Sequence, residues 1–382
     1  MRTIRAFSFL VALVLLGASA PAQNRWKTLA GESKDGRGAE EFLLKVMAQA
    51  GVSGLSVAVV QDGAIVFQRT LGVVDRETRK PVDDKTVFRG ASLSKPVFAW
   101  LVMKHVEEGR LELDKPLYTY LAKPLPEYPD YRDLGGDERW RKLTARMVLD
   151  HTTGFPNWRR MNPSGKLDFK ASPGERFGYS GEGYKLLQFV LEQMNGKDLN
   201  SIAREKMFEP LGMGQTGFLW ETRFDGNFAV ELEAGLGPLI KRTRTVANSA
   251  GSLLTNAPDY GRFLLTMMEA RGLKRQTIET MLKPQVQITS KSLFAPPGTD
   301  GGQNRAIQLA WALGWGRFRG VAGEAYFHLG LEEGCQNYAV VYPGRRTGLV
   351  ILSVQRELKS FTGDVLKELI GDVSSPLGWL GY

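Results

Sequence analysis

Two short β-branched runs, residues 55–60 and 64–67, flank Gln61-Asp62-Gly63, and this arrangement constrains the fold more than any other feature of the chain. Asp-Gly supplies two residues that tolerate positive φ, which a tight turn between twisted strands requires, so the segment is predicted to be an antiparallel hairpin. Strand-like runs return only near the other end, at 324–329, 338–342 and 348–354, with Pro343-Gly344 as a turn. Apolar residues recur at helical spacing at 40–50, 92–108, 145–150, 183–194, 199–207, 257–269, 275–282 and 361–370. Gly109 ends the second of these as a C-terminal cap. A hairpin at the start and strands at the end thus bracket a helical middle. One antiparallel sheet built from both ends and flanked by helices satisfies this order. The predicted class is α+β, with a sheet domain formed by 23–95 and 312–382 and an inserted, mostly helical domain at 96–311.

The chain opens Met1-Arg2-Thr3-Ile4-Arg5, runs apolar over 6–16, and reaches small residues at Ala20-Pro21-Ala22. This is the pattern of a cleavable signal peptide, predicted over 1–22. Its apolar run is too short to span a bilayer, and no later segment is apolar for long enough to do so. The expected location is secreted or periplasmic, in a bacterium. Cys335 is the only cysteine, so no intramolecular disulfide forms and the core alone must hold the fold. Fifty Lys and Arg face 41 Asp and Glu, a net charge of +9 that becomes +7 without Arg2 and Arg5. The basic residues are scattered, so a solvated surface is the preferred reading. No nucleic-acid motif and no His/Cys/carboxylate spacing for zinc is present, and no cofactor is expected. The last residues, 376–382, read as a tail packed on the surface or loosely ordered.

The chemistry gathers at Gly90-Ala91-Ser92-Leu93-Ser94-Lys95. Residues three apart share a helix face, so the Ser92 hydroxyl and the Lys95 amine can meet. A serine hydroxyl attacks only when a neighbouring base takes its proton. S-x-x-K alone is close to chance, but this one follows the strand-like 86–89 and opens a helix, whose N-terminal N–H groups favour developing negative charge. A second cluster, 177–184, sets Tyr179 before a glycine-flanked turn; a packed loop aromatic is the commoner role for such a tyrosine. A third, Phe327-His328-Leu329-Gly330-Leu331, ends a predicted strand, where a histidine is ordinarily structural.

Taken together and in order, these clusters resemble the class C β-lactamase and penicillin-binding serine hydrolase superfamily, which carries S-x-x-K, then Y-x-N, then K-T-G or H-x-G. The segments 109–116, 151–156, 210–213 and 250–253 resemble it too, so the likeness covers nearly the whole mature chain. It implies a β-lactamase/transpeptidase-like fold, one catalytic unit over 37–372, and an acyl-enzyme on Ser92. It implies Lys95 as proton acceptor or electrostatic partner and Tyr179 as a relay to the leaving group. The backbone N–H groups of Ser92 and Leu331 become the oxyanion hole, and Gly330 keeps the strand open for substrate. His151, beside Asp150, falls in a segment that is structural in that family.

Two positions depart from the pattern. The asparagine of Y-x-N is Gly181, and the lysine of K-T-G is His328. Both are candidate substrate-binding positions, and both changes lower the expectation of β-lactam turnover. Ester or amide bonds of small molecules or of cell-wall peptides are the expected substrates. β-Lactamase or D,D-peptidase activity is the alternative, and a catalytically idle binding or scaffold protein is the second. Lysine and tyrosine both ionise near 10, so either needs a depression worth about 4 kcal/mol to serve as a base at pH 7. Burial lowers the lysine and raises the tyrosine; the sequence leaves the choice between them open.

Overall fold

The computed structural model describes residues 25–74, 79–229, 245–295, 302–355 and 360–382; the expected signal peptide lies outside them. In chain order the principal elements are β1 (Arg25–Lys27), β2 (Ser33–Asp35), α1 (Gly36–Ala50), β3 (Val52–Gln61), β4 (Ala64–Gly72), β5 (Phe88–Ala91), α2 (Ser94–Glu107), α3 (Ala145–Leu149), α4 (Gly181–Asn195) and α5 (Leu199–Ala203). There follow β6 (Leu253–Thr255), α6 (Ala257–Glu269), α7 (Arg275–Leu282), β7 (Val286–Gln287), β8 (Ala310–Trp311), β9 (Gly316–Gly320), β10 (Gly323–Glu332), β11 (Cys335–Tyr342), β12 (Thr347–Gln355), α8 (Thr362–Ile370) and α9 (Leu377–Leu380).

The β3–β4 hairpin turns at Asp62 (φ 49°) and Gly63 (φ 89°), the two positive values of a type I′ turn. The main sheet runs β4-β3-β12-β11-β10-β9-β8-β7, with each neighbouring pair antiparallel. The pairing of β3 with β12, Val57 opposite Ile351, joins the two ends of the chain. Alternation along these strands explains why both read as unbroken apolar runs. Val57, Val59, Leu349 and Ile351 pack with Leu43 of α1 and Leu366 of α8 in one core. Ala58, Val60, Val350 and Leu352 pack with Val97 of α2 and Phe263 of α6 in the other. Both faces are covered, so neither strand needs a polar side. Helix α2 is buried from Ser94 through Met103, as a helix apolar on all sides must be.

The stretch 96–311 is mostly helical and loop-like, yet it is joined to the sheet. It contributes β7 and β8 to the sheet edge, and Phe263 and Leu264 of α6 share a core with Ala58 and Val60 of β3. Helix α1 begins four residues before its predicted start because the Asp35 carboxylate accepts from the N–H groups of Arg37 and Gly38. The reading of 376–382 as a surface or loose tail is corrected. Trp379 and Leu380 are buried, Trp379 Nε1 donates to Ser290 O at 3.1 Å, and Tyr382 Oη donates to Asn337 O at 2.7 Å. Apolar bulk and two donors finding backbone carbonyl acceptors draw the tail into the core. Among the described residues no helix is long and apolar enough to cross a membrane.

Candidate active site

Strand β5 ends at Ala91 with φ 47°, a left-handed conformation that is costly for a residue with a Cβ. The chain then closes a tight turn through Leu93 N–H to Gly90 O and Lys95 N–H to Ser92 O, both at 3.0 Å. Helix α2 therefore starts two residues after Ser92, and the i to i+3 relation of Ser92 and Lys95 is supplied by this turn. The Ser94 hydroxyl stitches the turn in place: it donates to Ala91 O at 2.6 Å and accepts from Leu253 N–H of β6 at 2.9 Å. On the opposite side β10 comes so close that a Cβ added at Gly330 would stand 2.4 Å from Gly90 O. The chain's own backbone at the turn preceding Ser92 thus demands glycine at 330.

Lys95 is fully buried, with Nζ 3.1 Å from Ser92 Oγ and 2.7 Å from Ala250 O. Burial pulls the amine from 10.5 down to about 7. Nζ also lies 4.7 Å from the centre of the Tyr179 ring and 5.5 Å from that of Tyr184, contacts that favour the charged form. The carbonyl of Ala250 is fixed by its own turn, in which Ala250 N–H donates to Asn248 Oδ1 and Asn248 N–H donates to Ser252 Oγ.

Tyr179 enters the same site on the segment before α4. His151, itself at φ 60°, pins that segment: its carbonyl accepts from Gly178 N–H at 2.8 Å and its Nδ1 from Ser180 N–H at 3.1 Å. The His151 ring lies 4.4 Å from the Tyr179 ring. Burial raises the Tyr179 pKa well above its usual value; Ser92 is near enough to pull slightly the other way, though the phenol oxygen has no partner at full hydrogen-bond geometry. Its ground state at neutral pH is the protonated phenol.

His328 lies behind this group, fully buried, its ring 6.2 Å from that of Tyr179. Its Nδ1 donates to Leu329 O at 2.7 Å, and burial, reinforced by the Lys95 charge, lowers its pKa to about 3. The same two causes hold His151 well below its usual value. Both imidazoles are neutral neighbours of Lys95, so position 328 offers no cation to a substrate carboxylate.

Ser92, Tyr179 and Leu331 line one cavity of about 670 Å³. Charged side chains rim it: Arg160, Lys185, Glu332 and Glu333, together with an ion pair of Arg159 and the buried Glu182 at 2.9 Å. Gly181 is the first residue of α4, and both Gly181 N–H and Glu182 N–H donate to Asn157 O. This lashes the loop to the helix and lays the Trp158 indole over Gly181, where an added Cβ would meet Trp158 Cη2 at 2.5 Å.

The structure therefore brings Ser92, Lys95 and Tyr179 together, sets Leu331 on the same cavity, places Gly330 against the turn before Ser92, and leaves Gly181 and His328 off the cavity wall. Four participants escaped the sequence reading: Ser94, Asn157, Trp158 and the Ala250 carbonyl. Two lay in stretches already singled out, Ser94 between Ser92 and Lys95 and Ala250 in the family-like segment 250–253; Asn157 and Trp158 had no signal.

A family model described as Beta-lactamase matches residues 39–368. The chain belongs to the beta-lactamase family. Penicillin-binding protein 4 of Amycolatopsis lactamdurans is 25% identical over 341 residues, 85% of this chain and 86% of that protein. Esterase EstB of Burkholderia gladioli is 28% identical over 192 residues, 44% of this chain and 47% of that enzyme. Among solved structures, the octameric penicillin-binding protein homologue from Pyrococcus abyssi superposes with a TM-score of 0.68 at 22% identity, over 87% of this chain and 76% of that one. This last likeness places the sheet and its flanking helices in the β-lactamase/transpeptidase-like fold.

Proposed function

We propose that the protein is an exported serine hydrolase that forms an acyl-enzyme on Ser92 and cleaves ester or amide bonds of small molecules or cell-wall peptides. The observation that carries this reading is the Lys95 amine, 3.1 Å from Ser92 Oγ and lowered by burial to about 7. In its neutral form that amine accepts the Ser92 proton as Oγ attacks the carbonyl carbon. Tyr179, kept protonated by burial, donates to the departing oxygen or nitrogen, and Lys95 returns the proton through the same group. The N–H groups of Ser92 and Leu331 receive the oxyanion. Water then cleaves the ester on Ser92 and frees the acid.

The relatives named as a penicillin-binding protein and an esterase support this range of substrates. β-Lactam turnover is the lesser reading, because Trp158 covers Gly181 and His328 is neutral. The basic, apolar and small-residue order of 1–22 supports export. Short-chain p-nitrophenyl esters and the β-lactam nitrocefin, each offered to the protein and to Ser92→Ala, test the assignment. Ester cleavage lost in the variant is expected; turnover that survives Ser92→Ala overturns it.

A further inference from the structure

A second cavity, of about 870 Å³, adjoins the first and shares Asn157, Tyr179 and Phe294 with it. Its division of labour is visible in its walls. Ser92 and Leu331, which hold the reacting carbonyl in the proposed chemistry, line only the first cavity. Tyr179, the proposed donor to the leaving atom, stands on the boundary. A group bonded to that atom therefore extends past Tyr179 into the second cavity, while the acyl portion remains in the first.

The two chambers differ in chemistry. The first is rimmed by charge. The second has an apolar wall of Phe155, Pro156, Met161, Phe177, Leu293 and Phe294, with Lys170, Glu175 and Arg176 as the charged side chains that also line it. Met161 and Phe294 are 63% and 51% exposed, large apolar side chains left in water at the mouth of a catalytic cleft. The Phe294 ring stands edge-on to Tyr179 at 5.6 Å. This wall is anchored before any ligand arrives: Leu293 N–H donates to Trp379 O at 3.0 Å, and Ser290 O accepts from Trp379 Nε1 and from Asn304 Nδ2. A preformed apolar chamber with a few polar groups at its edge is the usual form of a small-molecule subsite.

We infer that the second cavity is a leaving-group subsite for an aryl or medium-length alkyl alcohol or amine. The favoured substrate joins a polar acyl group to an apolar leaving group. This inference rests on the acyl-enzyme reading at Ser92. Ser92 Oγ bonds to the carbonyl carbon and its proton passes to Lys95. The bond to the leaving oxygen or nitrogen breaks, and that atom takes the Tyr179 proton. The apolar alcohol or amine departs, and water hydrolyses the polar acyl ester to restore Ser92.

Two ester series decide the matter, with acid release followed by titration. In one, an N-acetylglycyl group is joined to methyl through hexyl alcohols; in the other, methyl esters carry acetyl through octanoyl groups. The expected kcat/KM rises about fourfold per methylene in the alcohol series, the ratio for burying CH₂ groups, and stays within twofold across the acyl series. Phe294→Ala and Met161→Ser, both at exposed positions, reduce the alcohol slope below twofold per methylene. A slope confined to the acyl series, or an alcohol slope untouched by both variants, overturns the inference. Fluorophosphonate labelling of the same preparation separates the two claims. Labelled Ser92 with a flat alcohol series removes the subsite alone, whereas absent labelling and turnover remove the acyl-enzyme reading and the subsite with it.

Discussion

The Trp158 indole fills the space above Gly181, approaching to 2.5 Å the point where any side chain at that position would begin. Glycine at 181 and tryptophan at 158 are therefore one structural decision: the ring occupies the volume that any side chain at 181 would need.

Gly181→Asn alone is expected to lose about 1–3 kcal/mol, the scale of overpacking. Adding Trp158→Ala removes the clash, so Gly181→Asn is expected to cost less stability in the Trp158→Ala background than in the unaltered protein. A double-mutant cycle of chemical denaturation measures the coupling. Additive effects would show that the two positions do not compete for space.

The pH dependence follows from Lys95. In the proposed mechanism its ammonium loses a proton before it accepts one from Ser92, so kcat/KM is expected to rise with pH through about 7. With a single ionisation, the rate at pH 5 is about 100-fold below the plateau. His151 and His328, held neutral by burial, add no second limb between pH 5 and 8. A pH–rate profile with a short-chain ester checks this, and a limb near 6 that disappears in His328→Gln would count against it.

Gly330→Ala forces a methyl group against the Gly90 carbonyl, 2.4 Å away. The turn that aims Ser92 must yield. The expected result is a stability loss of about 1–3 kcal/mol and a fall in kcat larger than any change in KM, because the shift falls on Ser92 while the charged rim of the cavity lies away from it. Steady-state kinetics beside thermal unfolding separates the two effects.

Deleting residues 377–382 removes the buried Trp379 and Leu380 and the acceptor of Leu293 N–H. A loss of about 3–5 kcal/mol is expected, comparable to truncating a large core aromatic. The wall bearing Phe294 loosens as well. Calorimetry measures the first effect and the alcohol-ester slope the second. An unchanged melting temperature would mean that the tail is not part of the core.

Much of this was legible in the sequence, for identifiable reasons. Asp62-Gly63 gave the hairpin because few dipeptides accept two positive φ values in succession. Ser92 and Lys95 were found because their relation is local, one turn apart, and it survived even though the helix starts later than periodicity suggested. What escaped depends on distant partners. β7 and β8 are two-residue strands that exist only because the sheet edge is there to pair with. No residue-type preference marks Ala91 for a left-handed backbone; the Ser94 hydroxyl on its carbonyl and the close approach of Gly330 to Gly90 O accompany it. Trp158 and Gly181 lie 23 residues apart, and their competition for one volume leaves no trace in spacing. The tail at 376–382 reads as loose from sequence because its acceptors, Ser290 and Asn337, come from elsewhere in the chain.

The proposed chemistry stands on a covalent acyl-enzyme at Ser92. Intact-mass spectrometry after brief exposure to a fluorophosphonate, followed by peptide mapping, tests it most directly. One adduct on the peptide carrying Ser92, absent from Ser92→Ala, is the predicted result. Equal labelling of both proteins, or ester hydrolysis that persists in Ser92→Ala, would contradict it.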